Sequence, residues 1–246
     1  MSQDFLKNKT VIIIGATSGL GESLAIKLNG RAGKLILTGR NITKLNELKS
    51  GFGSACEAYH LDLTDSKSIK EFSSEILKLK DEDIVLISNA GIWLEGDTDR
   101  EDFNKIEEVV RTNLTGHMEL VSAILPKLES NKKGHIVFVN SVAGLDFNPG
   151  NTFYSASKFG LTGFAKTLQP ELVDDNIKVS LVHPGGMDTD LFNRAGHDYG
   201  KAPWMMNKND VAQIIIKVID QPDNVLIDQI SIRTFPENII RYGEIG

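Results

Sequence analysis

The sequence predicts an α/β fold built on a doubly wound, parallel β-sheet of about seven strands with helices on both faces. Three observations predict it. Short runs rich in Val, Ile and Leu recur along the chain and are apolar throughout rather than alternating, which suits strands buried on both faces. Stretches with helical spacing lie between these runs, so strand, helix and strand repeat with right-handed crossovers. A glycine-rich turn joins the first apolar run to the first helical stretch.

Strands are read at 10–14 (TVIII), 34–38 (KLILT), 84–88 (IVLIS), 135–140 (HIVFVN), 178–182 (KVSLV) and 225–232, with a weaker candidate at 56–60 just before LDLTD. Helical spacing covers 19–31, 41–50, 65–80, 101–129, 152–175 and 208–220. Pro170 falls inside the helix expected over 152–175 and should bend or break it, because its ring clashes with the preceding turn and it has no N–H. No internal repeat or low-complexity linker divides the chain, and 41% hydrophobic content in 246 residues is enough for one substantial core, so 1–246 reads as a single domain. Between 184 and 207 no period persists; an ordered loop that long is expected to serve the substrate.

Composition excludes several functions. A formal net charge of −6, with acids and lysines interspersed, is the wrong balance for neutralising nucleic acid or an anionic membrane. Cys56 is the only cysteine, which rules out an internal disulfide and a cysteine-built metal site. The histidines at 60, 117, 135, 183 and 197 lack the spacing of a helical zinc motif, so they read as structural and no metal is expected. The N-terminal MSQDFLKNK has no apolar stretch and no run approaches a membrane span, so a reducing, cytoplasmic setting is expected.

In VIIIGATSGLGESLAIKL, Gly15, Gly19 and Gly21 stand between strand and helix in a GxxxGxG pattern. Glycines let the backbone turn sharply and approach a pyrophosphate, whose charge then meets the free N–H groups of a helix N-terminus. A turn used only for close packing would read the same, and its place after the first buried strand favours the dinucleotide. The second strand ends LILTGR, with Gly39 and Arg40 where an NAD enzyme carries an acid for the ribose 2′-hydroxyl. Arg40 offers a planar fork of donors for a 2′-phosphate, so NADP is favoured over NAD.

With these residues in view, the sequence resembles the short-chain dehydrogenases/reductases in their compact single-domain form, over about 9–232. The glycines match that family's TGxxxGxG loop, Asp62 in LDLTD its adenine-contacting acid, and SNAG at 88–91 its NNAG segment. Asn113 in TNLTG, Ser141 in NSVAG, and Tyr154 with Lys158 in YSASK match its catalytic four, and PGGMDT at 184–189 its segment along the nicotinamide. Ile14 and Ser88 depart from the pattern, each removing a hydrogen-bonding option that supports the sheet. The resemblance implies a Rossmann-type fold and an NADP(H) site formed by Gly15, Thr17, Ser18, Gly19, Leu20, Gly21, Arg40, Asp62, Leu63, Asn89, Ala90, Gly91, Tyr154, Lys158, Pro184, Gly185, Met187 and Thr189.

The spacing of Tyr154 and Lys158 carries the chemistry. Residues four apart on a helix share a face, so phenol and amine can enter one cleft. A phenol is a poor base at neutral pH, and an ammonium about 5 Å away is worth roughly 3 kcal/mol at an effective dielectric of about 20, or about two pKa units. Chance alone gives about 0.3 YxxxK matches in a chain of this composition, so the motif gains weight from Ser141, thirteen residues earlier at the end of a predicted strand. The expected reaction is reduction of a ketone or aldehyde to an alcohol, or its reverse. Ser141 hydrogen-bonds the carbonyl oxygen, NADPH gives hydride and Tyr154 the proton, with Lys158 on the ribose hydroxyls. Asn113, as the resemblance implies, anchors a relaying water.

Pocket walls are expected from 91–95, 143–153 and 184–207, with Trp93, Phe147, Phe153, Met187, Leu191, Phe192, Trp204 and Met205 suggesting an apolar or moderately bulky carbonyl substrate. The competing reading is a non-catalytic NADP-binding sensor or scaffold, which needs no activated tyrosine; no GxSxG elbow supports a hydrolase. The apolar LVSAILPKL at the end of the 101–129 helix suggests a twofold contact, hence a homodimer or homotetramer.

Overall fold

The computed structural model describes residues 4–80, 83–147, 149–200, 202 and 204–235. Seven strands, β1 (Thr10–Ile14), β2 (Lys34–Gly39), β3 (Cys56–His60), β4 (Ile84–Ser88), β5 (Gly134–Val139), β6 (Ile177–Pro184) and β7 (Gln229–Ile232), form one sheet in the order β3-β2-β1-β4-β5-β6-β7. Every pairing is parallel. The chain winds outward from β1 through β2 to β3, then returns to β4 on the other side of β1. This reversal opens a crevice beyond the C-terminal ends of β1 and β4, where ligands bind in open sheets of this kind.

Strand periodicity sorts the core into two layers. In β1, Val11 and Ile13 face α1 (Gly19–Leu28), α2 (Ile42–Phe52) and α8 (Lys208–Ile219) through Leu24, Leu45 and Ile215. Ile12 and Ile14 face the other way, toward α3 (Ser66–Leu77), α5 (Gly116–Asn131) and α6 (Thr152–Glu171) through Phe72, Leu120 and Leu161. A strand sandwiched between two helix layers has no polar face, which is why these runs are continuously apolar.

The structure corrects several element boundaries. The helix expected over 101–129 is α4 (Phe103–Val110), a π-helical turn (Arg111–Thr115) and α5 in succession. Strand 225–232 shrinks to β7, because the carbonyls of Val225 and Ile227 are taken by Lys178 Nζ and Ser180 Oγ instead of a ladder. The first helix stops at Leu28, ahead of Gly30 at φ 78°. Pro170 does not break its helix; it sits in the last turn of α6, which ends one residue later at Glu171. The 184–207 stretch contains the short α7 (Leu191–Arg194) and a parallel bridge from Met187 to Met206. Of LVSAILPKL, the stretch expected at a twofold contact, Leu120, Val121, Ile124 and Leu128 are buried inside the chain against the sheet and α3, while Ser122 and Pro126 are exposed. Among the described residues no helix is long and apolar enough to cross a membrane.

Candidate active site

The first strand delivers the chain to Gly15, whose φ of 82° is left-handed and suits only glycine without strain. The amides of Gly15 and Ala16 both donate to the Thr38 carbonyl at the end of β2, fixing the turn. Gly21, just inside α1, is held still more tightly: a Cβ there would lie 1.9 Å from the Gly15 carbonyl oxygen. Ser18 occupies the N-cap of α1 in extended geometry and makes no side-chain cap bond. The first amides of a helix have no intrahelical partner, so this end presents donors to the crevice.

The neighbouring strand ends supply the flanks. Exposed Arg40 follows β2. Asp62 follows β3 and accepts from the Thr64 amide (2.9 Å) and hydroxyl (2.7 Å). Burial works against the Asp62 carboxylate, yet these bonds and the charges of Arg40 and His60 hold it below its ordinary pKa. Asn89, after β4, donates from Nδ2 to the Gly15 carbonyl at 3.3 Å. Ser88, where the resembling pattern has asparagine, meets His117 Nδ1 at 2.5 Å, while His117 Nε2 faces the Ala90 carbonyl at 2.8 Å. A ring nitrogen facing a carbonyl must carry the proton, so Nε2 donates and Nδ1 accepts from the serine. Burial pushes His117 down to about 4 and keeps it neutral; the missing asparagine is thus replaced by a serine–histidine bridge.

Tyr154, Ser141 and Lys158 are all buried and line one cavity with the glycine turn. Ser141 leaves β5 in extended geometry, its Oγ accepting from the Ala143 amide at 3.1 Å. The Lys158 amine lies 5.7 Å from the centre of the Tyr154 ring. In this site burial outweighs the pairing expected from sequence: it pushes the Tyr154 phenol up to about 12, against a lowering hydrogen bond with Ser141, and pushes the Lys158 amine down to about 8. Both groups are driven toward their neutral forms.

The cavity, about 1170 Å³, takes in every residue expected at the site except Gly21 and Asn113. Gly21 stands behind Gly15, and Asn113 is fully buried in the π-helical turn. There Asn113 clips the segment after β4: its Oδ1 accepts from the Ile92 amide (2.8 Å) and its Nδ2 donates to the Ile92 carbonyl (2.9 Å) and Ser157 Oγ (3.2 Å). Thr17, Ser18, Gly19, Leu20, Leu63, Ala90, Gly91, Pro184, Gly185, Met187 and Thr189 all face the crevice with Arg40, Asp62 and Asn89.

Residues 9–200 match the family model described as short chain dehydrogenase. The chain belongs to the short-chain dehydrogenase family. It is therefore an oxidoreductase-class enzyme. A relative, dehydrogenase/reductase SDR family member 7B of Mus musculus, is 34% identical over 215 residues, covering 85% of this chain and 67% of the mouse protein. Among solved structures, the closed form of a serine dehydrogenase complexed with NADP+ superposes with a TM-score of 0.85 at 26% identity, covering 92% of this chain and 95% of that one. The Sphingobium yanoikuyae short-chain dehydrogenase in complex with NADPH gives a TM-score of 0.83 at 26% identity, covering 96% and 91%.

Within this short-chain dehydrogenase the expected walls need correction. Trp93, Met187, Leu191, Phe192 and Trp204 line the cavity, whereas Phe147, Phe153 and Met205 do not. Phe147 is 86% exposed and stacks on Phe159, at 5.4 Å between ring centres, because the loop after Ser141 carries it outward. Two residues went unnamed in the sequence reading. Tyr199 lies in the 184–207 loop and donates from its hydroxyl to Glu95 at 2.8 Å. Asn140, at the end of β5, donates from Nδ2 to the Lys158 carbonyl (3.0 Å) and Thr162 Oγ1 (2.8 Å), tying the Ser141 loop to the lysine's turn. A polar residue ending an otherwise apolar strand was the available signal for it.

Proposed function

We propose that this enzyme is an NADP(H)-dependent oxidoreductase that interconverts a ketone or aldehyde with an alcohol, with Tyr154 exchanging the proton. One observation carries the reading: Ser141, Tyr154 and Lys158 line the same cavity as the glycine turn, so a proton donor stands beside a dinucleotide cradle. The residues fit the cofactor. Gly21 leaves no room for a Cβ, the uncapped N-terminus of α1 offers amides to a pyrophosphate, and Arg40 offers a charged fork to a 2′-phosphate. The NADP+ and NADPH complexes of the two structural relatives add support.

When bound, the nicotinamide supplies or accepts the hydride. The chain's own groups do the rest. Ser141 Oγ donates to the substrate's carbonyl oxygen, and Tyr154 gives that oxygen its proton. A phenol held near pKa 12 is protonated at neutral pH, the form that reduction needs; the reverse reaction needs the phenolate and should gain with rising pH. Lys158, adjoining the phenol, holds the ribose hydroxyls, and Asn113 keeps the 91–94 segment in register with them. A homodimer or homotetramer remains part of the proposal.

A panel of aldehydes and ketones followed by loss of the reduced-nicotinamide absorbance tests this. Turnover of one or more carbonyls with NADPH is expected. Tight NADPH binding with no turnover across the panel would move the chain to the sensor reading.

A further inference from the structure

The cavity continues past Tyr154 into a wall of aromatic rings. The Trp93 indole lies against the Tyr154 phenol, 4.3 Å between ring centres and tilted by 49°. Phe192 meets Trp93 edge-on at 5.0 Å, Tyr199 at 5.4 Å and Trp204 at 5.8 Å. All four line the cavity.

These rings are tied to one another and to the backbone around them. Trp93 Nε1 donates to Glu95 Oε2 (3.2 Å), and the same oxygen accepts from the Tyr199 hydroxyl (2.8 Å), which joins the segment after β4 to the 184–207 loop. The edge of the Trp204 ring abuts Gly186, where a Cβ would sit 2.2 Å from it, and the Thr234 hydroxyl donates to the Trp204 carbonyl at 2.7 Å. Phe192 is 6% exposed at the centre of the cluster. Side chains held by such contacts lose little entropy on binding.

A carbonyl oxygen held by the Tyr154 hydroxyl lies in the part of the cavity that Trp93 also lines, since the Trp93 and Tyr154 rings are in contact. We propose that the substrate carries a neutral aryl ring next to its carbonyl and that Trp93, held by Glu95, is the residue that selects it. This rests on the oxidoreductase reading above and names the substrate class for the same site. Ring edges and faces favour another ring over a saturated group of equal area, by about tenfold in affinity. The Glu95 carboxylate sits among the rings with two neutral donors on it, so an acidic group on the substrate would meet like charge there.

The test compares two skeletons that differ only in aromaticity. Calorimetry of the NADPH complex with 1-phenylethanol and with 1-cyclohexylethanol reads binding without reaction, since neither alcohol can be oxidised by the reduced cofactor. Steady-state reduction of acetophenone and cyclohexyl methyl ketone reads kcat/KM. The phenyl alcohol is expected to bind about tenfold more tightly. In Trp93→Leu the phenyl-to-cyclohexyl ratio should fall about tenfold in both Kd and kcat/KM, a comparison in which intrinsic ketone reactivity cancels. Equal affinity of the two alcohols for the unmutated enzyme overturns the inference even where the variant does not fold. Reduction of both ketones with a ratio that Trp93→Leu leaves unchanged overturns the inference and leaves the oxidoreductase reading standing. Absence of turnover with every carbonyl overturns both.

Discussion

Replacing Gly21 by Ala is the sharpest perturbation of the cofactor cradle. The added methyl would lie 1.9 Å from the Gly15 carbonyl oxygen and 2.7 Å from Asn89 Nδ2. Carbon and oxygen settle about 3.3 Å apart, so turn and helix must part by more than about 1 Å. Overpacking of this kind costs about 1–3 kcal/mol, and alanine's better helix propensity offsets about 1 kcal/mol. The net loss of up to ~2 kcal/mol lowers the melting temperature by up to ~8 °C in a chain of this size. NADPH affinity suffers more. Displacing one amide from a phosphate oxygen forfeits a charged hydrogen bond worth about 1.5–3 kcal/mol, which raises Kd by about 10- to 100-fold. Thermal melts and calorimetric titration with NADPH measure the two effects on one preparation. Gly51→Ala is the control: it lies in α2 with nothing within 4 Å of the new Cβ, so it should melt ~2–4 °C higher and bind NADPH unchanged. A Gly21→Ala protein that melts lower yet binds NADPH as tightly as the parent would refute the cradle.

Arg40→Asp should raise the Kd for NADPH by about 10- to 100-fold and leave NADH binding the same or better, since it puts like charge beside the 2′-phosphate; unchanged selectivity would remove Arg40 from that role. Lys158→Met should melt ~5 °C higher at neutral pH, because the folded state holds a buried ammonium whose pKa has dropped to about 8. As pH rises from about 8 toward 10.5, the folded lysine sheds its proton before the unfolded one; the unfolded state then binds more protons, the parent gains stability, and the gap should close. A gap independent of pH would show that the amine is not held in that environment. Asn140→Ala should cost about 2 kcal/mol, or ~4–8 °C, and lower turnover about tenfold with NADPH affinity kept, since Asn140 joins the Ser141 loop to the Lys158 turn; loss of stability alone would limit it to packing.

Much of this architecture is legible in the chain because a parallel sheet between two helix layers imposes a local signal. TVIII and IVLIS are apolar apart from Thr10 and Ser88 at their ends and buried at every position, since both faces of β1 and β4 are covered, and even the weak CEAYH run forms the edge strand β3. What could not be read depends on contacts between distant segments. The π-helical turn at Arg111–Thr115 inserts a backbone irregularity into an otherwise continuous helical pattern, and Asn113 is turned toward Ile92 there. The apolar face of α5 has the same periodicity whether it meets a partner or its own sheet, and here it meets the sheet. At the site, motif spacing pointed to Ser141, Tyr154 and Lys158, which line one cavity, but the proton affinities follow burial, which spacing does not report: Tyr154 rises where an adjacent ammonium alone would lower it. Phe147 and Phe192 are the same residue type in neighbouring wall segments, one exposed and one at the centre of the aromatic cluster. Only the path of each loop decides between them.

Turnover by the unmutated enzyme and by Tyr154→Phe, with NADPH affinity measured on both, tests the central claim most directly. The phenol hydroxyl is the proposed proton donor and only that atom is removed, so kcat should fall by about 10²- to 10⁴-fold while NADPH binds with unchanged affinity. A Tyr154→Phe enzyme that reduces the same carbonyl at the parent rate would contradict the account.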